Sequence, residues 1–231
     1  IDIHGGGADL VFPHHENEIA QSTCVSEGED FVRFWLHNGF VNVDREKMSK
    51  SVGNVLLVHD LLKHTSGEAI RLALLNAHYR QPLDWTDDGL VQAKRMLDRL
   101  YGALRKLEDT DVIIGTKPNA NFLAALNDDL NTPKALATLF DLARKANSAN
   151  DIADKRRIKS ELIASGQLLG ILQADPEDWF SAKEYDETAL DTAHINELIE
   201  ARQTAKARQD YAEADRIRNE LTAQGILLED G

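Results

Sequence analysis

The sequence predicts a mainly α-helical protein with a partial α/β segment at its N-terminus and a small helical unit at its C-terminus. Up to about residue 54, apolar and polar side chains alternate around a glycine triplet and short β-branched runs. From about residue 55 onward, leucines and alanines recur at steps of three and four. Near the end, an acidic stretch without a long apolar period separates a last pair of short amphipathic segments from the rest.

The N-terminal region, residues 1–54, reads as a strand over Ile1–Asp2–Ile3 that feeds a tight loop at Gly5–Gly6–Gly7. A helix should follow, with Pro13 in its first turn and Glu16 and Glu18 near its positive end. Val32, Phe34 and Leu36, then Phe40, Val41 and Val43, predict extended backbone that ends in a polar loop over 44–54.

Residues 55–175 predict a helical bundle. Thr65 and Glu68 have the spacing of a capping box ahead of Ile70, Leu72, Leu74 and Leu75. Leu90, Ala93, Leu97, Leu100, Leu104 and Leu107 place one apolar stripe along a helix of about five turns. Asn131–Thr132–Pro133 offers a cap and a first-turn proline for another helix, and Ile158, Leu162, Leu169 and Leu172 stripe a further one. The segment 176–193 reads as a linker, and 194–231 as a helical hairpin with Ile195, Leu198 and Ile199 on one face of its first helix and Ala214, Ile217 and Leu221 on one face of its second.

The 231 residues are 42% hydrophobic, enough for one sizeable core or a few smaller ones. A formal charge of −13 excludes a protein that coats nucleic acid indiscriminately, because phosphate binding needs an excess of Lys and Arg. Any RNA contact must be local. The expected compartment is the cytoplasm: there is no run of about 18 apolar residues, and Cys24, the single cysteine, cannot form an internal disulfide. An opening on Ile1 without an initiating methionine is what a fragment would show.

Chemistry concentrates in two places. Lys47–Met48–Ser49–Lys50–Ser51, followed by Gly53, brings two ammonium groups and two hydroxyls onto one flexible loop. Such a loop can follow a polyphosphate as its charge shifts, although an ordinary solvated Lys/Ser loop has the same composition. Upstream, His14 and Glu18 stand four residues apart, so on a helix they share a face, and an imidazole with a carboxylate is half of a zinc site. His4, His14, His15 and His37 put half of the eight histidines in the first forty residues, which points to a polar site there. Cys24 is expected to be a buried small side chain, and Trp35 to pack in the core or to line the pocket, with the core favoured.

The segment 44–54 resembles the KMSKS signature loop of class I aminoacyl-tRNA synthetases. Residues 2–10 together with Phe12–Pro13–His14–His15–Glu16–Asn17–Glu18 are similar to the segment that distinguishes cysteinyl-tRNA synthetases. The likeness continues through Asn127–Asp128–Asp129–Leu130–Asn131–Thr132–Pro133 and through 211–218 to Gly231, so it spans the whole chain.

The resemblance implies a fold and a reaction. Residues 1–54 would end a Rossmann-type catalytic domain, 55–175 would be a stem-contact and anticodon-binding bundle, and 194–231 an anticodon-recognition unit. Cysteine would be activated by ATP, with magnesium, and passed to tRNA(Cys). Lys47, Lys50, Ser49 and Ser51 would handle the phosphates, Lys50 foremost, while Gly5, Gly6, Gly7 and Asp9 would contact ATP. His14 and Glu18 would hold zinc beside two cysteines from earlier in the family's chain.

In the C-terminal unit, Arg202, Lys206, Arg208, Asp215 and Asp230 are candidate tRNA contacts. The stretch Glu200–Glu220 holds five basic and five acidic residues, a neutral island in an acidic chain. A monomer without membrane association is expected. The HIGH-type motif of the class does not occur in this sequence, so this chain by itself is expected to be inactive. A non-catalytic tRNA-binding paralogue and a ligase of cysteine with an amino sugar are the alternatives.

Overall fold

The computed structural model describes residues 1–26, 30–43, 46–48, 55–181, 198, 200–202, 204–206, 208 and 210–223. It divides into two compact units, Ile1–Ala182 and Lys183–Gly231.

The first unit begins with β1 (Ile3–Gly7), which pairs in parallel with β2 (Phe34–Asn38) so that Ile3 lies opposite Phe34 and Gly7 opposite Asn38. The connection carries a 3₁₀ turn at Ala8–Leu10, a π-turn at Val11–His15 and α1 (Glu16–Val25). Two expectations change here. The glycine triplet is strand rather than loop, and Pro13, joined to Phe12 by a cis peptide, lies in the π-turn before α1. Glycine is required at position 6 for space: a Cβ there would come within 2.9 Å of both His15 Cε1 and Leu10 Cδ1. Cys24, expected to be buried, is exposed, because α1 buries none of its residues.

After β2, the chain forms β3 (Val41–Val43) and β4 (Glu46–Lys47), an antiparallel pair. The short α2 (Val58–Leu61) and α3 (Gly67–Leu75) follow, and β5 (Leu83–Trp85) returns to lie parallel to β3. The start of α3 differs from the expected capping box by one residue. Ser66 is the cap, its hydroxyl accepting from Ala69 N–H at 3.2 Å. Glu68 is thereby released for a tertiary role: its carboxylate accepts from Tyr101 Oη, Leu172 N–H and Gln173 N–H, all at 2.9–3.0 Å.

The bundle consists of α4 (Asp87–Arg105), α5 (Ala120–Leu126), α6 (Thr132–Ser148) and α7 (Ile152–Leu169), with α4 packed against α3 and α6. The predicted stripe runs along the buried side of α4 and just past its end: Ala93, Leu97, Leu100, Leu104 and Leu107 are in the core, with Leu90 partly buried against it. Asn131 caps α6 as expected, accepting from Lys134 N–H at 3.1 Å, with proline in the first turn. Gly170 ends α7 in the left-handed conformation at φ 69°. Residues 176–181, expected within the linker, are instead α8 (Pro176–Ser181), because Trp179 stacks on Tyr101 at 4.4 Å and donates to Asp98 at 2.8 Å. The remainder of the expected linker lies outside the described residues.

In the second unit, residues 200–202 and 204–206 are helical and α9 spans Tyr211–Ala223. Ala205, Ala214, Ile217 and Leu221 are buried there, the three on α9 as the apolar spacing predicted.

Candidate functional site

The histidine-rich start of the chain folds into one cluster on β1 and β2. Parallel pairing sets His4 opposite Trp35 and Gly6 opposite His37, and the gap above Gly6 admits His15. His15 is buried, and its Nδ1 shares a 2.8 Å hydrogen bond with His37 Nε2. The Trp35 ring lies 6.0 Å from His37 and nearly parallel to it, and 4.8 and 5.0 Å from His4 and His15. Trp35 therefore lines this polar cluster, the second of its two expected positions rather than the favoured core. Removal from water, and then the neighbouring His15, Arg80 and His4, push the His37 imidazole below its ordinary pKa, so the ring favours its neutral, acceptor-bearing form.

Glu18 reaches the same place from α1. Its Oε2 lies 3.3 Å from His4 Nε2, is buried, and makes no hydrogen bond among the described residues. The ligand atoms of His4, His15 and Glu18 all lie within 4.8 Å of one another. An orphaned carboxylate oxygen beside two imidazoles is a nitrogen and oxygen donor set that suits zinc. The predicted partner His14 is exposed in the same π-turn as His15, and it is His15 whose ring nitrogen groups with Glu18. The signal for His4, His15 and His37 in the sequence was their density; their convergence depends on strand register.

Of the other predicted nucleotide contacts, Gly5, Gly6 and Gly7 lie along β1, and Asp9 is exposed in the turn that follows. The Asp9 carboxylate folds back over Gly7, where a Cβ would fall 2.5 Å from its Oδ1. Lys47 ends β4, and Met48 N–H donates to the Val41 carbonyl at 3.1 Å, which ties the start of the predicted phosphate loop to β3. Ser49, Lys50 and Ser51 lie outside the described residues.

Among the predicted tRNA contacts, Lys206, Arg208 and Asp215 are exposed, and Asp230 lies outside the described residues. Arg202, expected on the same face as Lys206, is 9% exposed and sits with Ala205 on the buried side of its helix. Four residues advance a helix by slightly more than one turn, and here that difference separates a packed side chain from a presented one.

Along the chain a parallel strand pair, the Lys–Met–Ser–Lys–Ser sequence and a helical bundle follow in the order that the resemblance to class I aminoacyl-tRNA synthetases implies. Residues 1–95 match the family model for the class I (C) tRNA synthetase catalytic domain, 121–173 the DALR domain, and 191–231 the cysteinyl-tRNA ligase anticodon binding domain. The chain belongs to the cysteinyl branch of that class.

Among its relatives, a cysteine–tRNA ligase of Parvibaculum lavamentivorans is 59% identical over all of this chain and 49% of its own length. Those of Paramagnetospirillum magneticum and Xanthomonas campestris pv. campestris are 56% and 54% identical over all of this chain, and over 50% and 49% of their own lengths. The chain thus spans about half the length of the curated relatives it matches. In fold, it resembles the Agrobacterium radiobacter K84 agnB2 LeuRS in its ternary complex with tRNA and LeuAMS, at a TM-score of 0.52 and 19% identity, over 73% of this chain and 24% of that one. No helix among the described residues is long and apolar enough to cross a membrane.

Proposed function

We propose that this chain supplies the zinc-side, KMSKS-loop and anticodon-side parts of a cytoplasmic, monomeric cysteine–tRNA ligase. In that reaction the cysteine carboxylate attacks the α-phosphate of ATP, releasing pyrophosphate, and the acyl group then passes to the terminal ribose of tRNA(Cys). The observation that carries the reading is the convergence of Glu18 with His4 and His15, in the same fold as the strand β4 that ends at Lys47.

Glu18 is the common member of both ligand sets, with His14 as the resemblance implies or with His4 and His15 as the geometry favours. Zinc held there would supply a soft Lewis acid that takes a substrate thiolate in preference to a serine hydroxyl. The His15–His37 hydrogen bond holds both rings, and Trp35 lies parallel to the His37 ring. Lys50, with Lys47, Ser49 and Ser51, would follow the phosphates of a magnesium-bound ATP, and Gly5, Gly6, Gly7 and Asp9 would border its adenosine. Lys206, Arg208, Asp215 and Asp230 are the candidate contacts to tRNA(Cys), with Arg202 supporting them from inside the hairpin. This unit favours tRNA over an amino-sugar acceptor.

Cysteine-dependent exchange of pyrophosphate into ATP tests the proposal. The intact gene product should show it and lose it on Glu18→Ala or Lys50→Ala, while these 231 residues alone should show none. Robust exchange by the chain alone would overturn this placement of the site. An intact product that binds tRNA(Cys) without exchange would establish a non-catalytic tRNA-binding protein instead.

A further inference from the structure

Asp129 has an arrangement that neither the site nor the core explains. It sits between α5 and α6 at φ 55° and is followed by Leu130 at φ 52°, two consecutive non-glycine residues in the left-handed region. Its exposed carboxylate takes three hydrogen bonds from one short segment. Tyr79 Oη donates to Oδ1 at 2.7 Å, Arg80 Nε to Oδ2 at 2.6 Å, and Arg80 Nη2 to Oδ1 at 3.1 Å, with His78 Nε2 4.0 Å from Oδ2. Thr132 Oγ1 adds a donation to the Ala77 carbonyl at 3.4 Å. Exposed ion pairs contribute little to stability, so a forked pair on two left-handed residues calls for another use.

That use lies at the other end of the clamped segment. Residues 78–81 form a turn in which Gln81 N–H donates to the His78 carbonyl, and the turn is seated on Gly39, whose N–H donates to the Tyr79 carbonyl at 2.8 Å. A side chain on Gly39 would collide with the Gln81 carbonyl, so the two backbones approach as only glycine permits. Immediately beyond Gly39, Leu83 N–H donates to the Phe40 carbonyl and β5 joins β3, which in turn pairs with β4. The path from Asp129 therefore runs through Arg80 and Tyr79 to Gly39, β3 and β4, the strand that ends at Lys47.

We propose that Asp129 is a positioning residue for β4 and the Lys47 that ends it. By clamping Tyr79 and Arg80 it seats the 78–81 turn on Gly39 and so sets where β3 and β4 deliver Lys47, linking the helical bundle to the site. The inference rests on the function proposed above.

The test is pyrophosphate exchange by the intact gene product carrying Asp129→Asn, Arg80→Lys or Tyr79→Phe, with thermal unfolding and active-site titration measured on the same samples. Asp129→Asn and Arg80→Lys should lower kcat roughly 10- to 100-fold, the scale of a displacement of about 1 Å at a reacting group, with KM for cysteine unchanged. Arg80→Lys keeps the charge but loses the fork, so its loss separates geometry from electrostatics. Tyr79→Phe, which keeps the fork, should lose less, and it decides the matter if Asp129→Asn does not fold. Undiminished kcat in Asp129→Asn and Arg80→Lys, or a loss matched by the fraction of folded enzyme, would overturn the inference alone. Absence of exchange in the unaltered protein would overturn the function and this inference together.

Discussion

The helical bundle and the strand segment ahead of it solve different problems. In the bundle, Leu97, Leu100, Leu139, Leu162 and Phe122 have no exposed surface, and α3 to α7 share one core. Along β1 and β2, by contrast, Ile3 and Phe34 are 65% and 63% exposed, and the residues gathered most tightly are imidazoles, an indole and a carboxylate. The bundle obtains its stability from apolar burial, and the strand segment spends its geometry on polar groups held by register. Stability and chemistry are thus separated along the chain.

The largest expected difference comes from truncating one residue in each region. Phe122→Ala should cost about 3–5 kcal/mol by urea denaturation, because it leaves a cavity in a closed core. Phe34→Ala should stay within about 0.5 kcal/mol. Equal losses would break the contrast.

A polar substitution in the bundle should come next. Glu68→Gln replaces a carboxylate that accepts from Tyr101 Oη and two backbone N–H groups with an amide that has only one oxygen, at a cost of about 1–3 kcal/mol. The same contacts should appear in the titration of Tyr101. Burial, opposed in part by the donated Ala174 N–H and reinforced by the Glu68 charge, raises its phenol well above the usual range, so its ultraviolet titration should begin only as the protein unfolds in alkali.

In the strand segment, Gly6→Ala should displace His15, since the new Cβ falls 2.9 Å from its ring. The expected cost is about 1–3 kcal/mol, with changed imidazole resonances of His15 and His37 as the direct readout. Unchanged resonances would show that the cluster does not depend on close approach to β1.

The smallest effect concerns pH. Hydrogen bonds from Arg80 and then Tyr79 lower the Asp129 carboxyl from 3.8 to about 2. A depressed carboxylate contributes stability that is present above its unfolded pKa and lost as pH falls through the folded one. The unfolding temperature should therefore drop from about pH 4 to pH 2 by slightly more in the unaltered protein than in Asp129→Asn, and screening at this exposed position keeps the difference small.

Much of the bundle was legible because helical periodicity is local. The stripe from Leu90 to Leu107 and the cap at Asn131 need only neighbours within a turn or two to be read. Thr65 misled because Ser66, one residue on, offers the same hydroxyl, and the choice fell to Glu68, two of whose partners lie more than a hundred residues away. Trp179 turned an apparently acidic linker into a helix for the same reason: its stacking partner, Tyr101, belongs to α4.

At the candidate site, the sequence by itself determined the residue types, the histidines, Glu18, the glycine triplet and the Lys–Met–Ser–Lys–Ser loop, and with them the family. Only the tertiary structure decided that His15 rather than His14 turns toward Glu18, that Trp35 lines the cluster, and that Arg80 meets Asp129 49 residues along the chain. The physical reason is that a side chain's identity and helical face are set within a few residues, whereas its partner is set by strand register and by the route of the chain between the two.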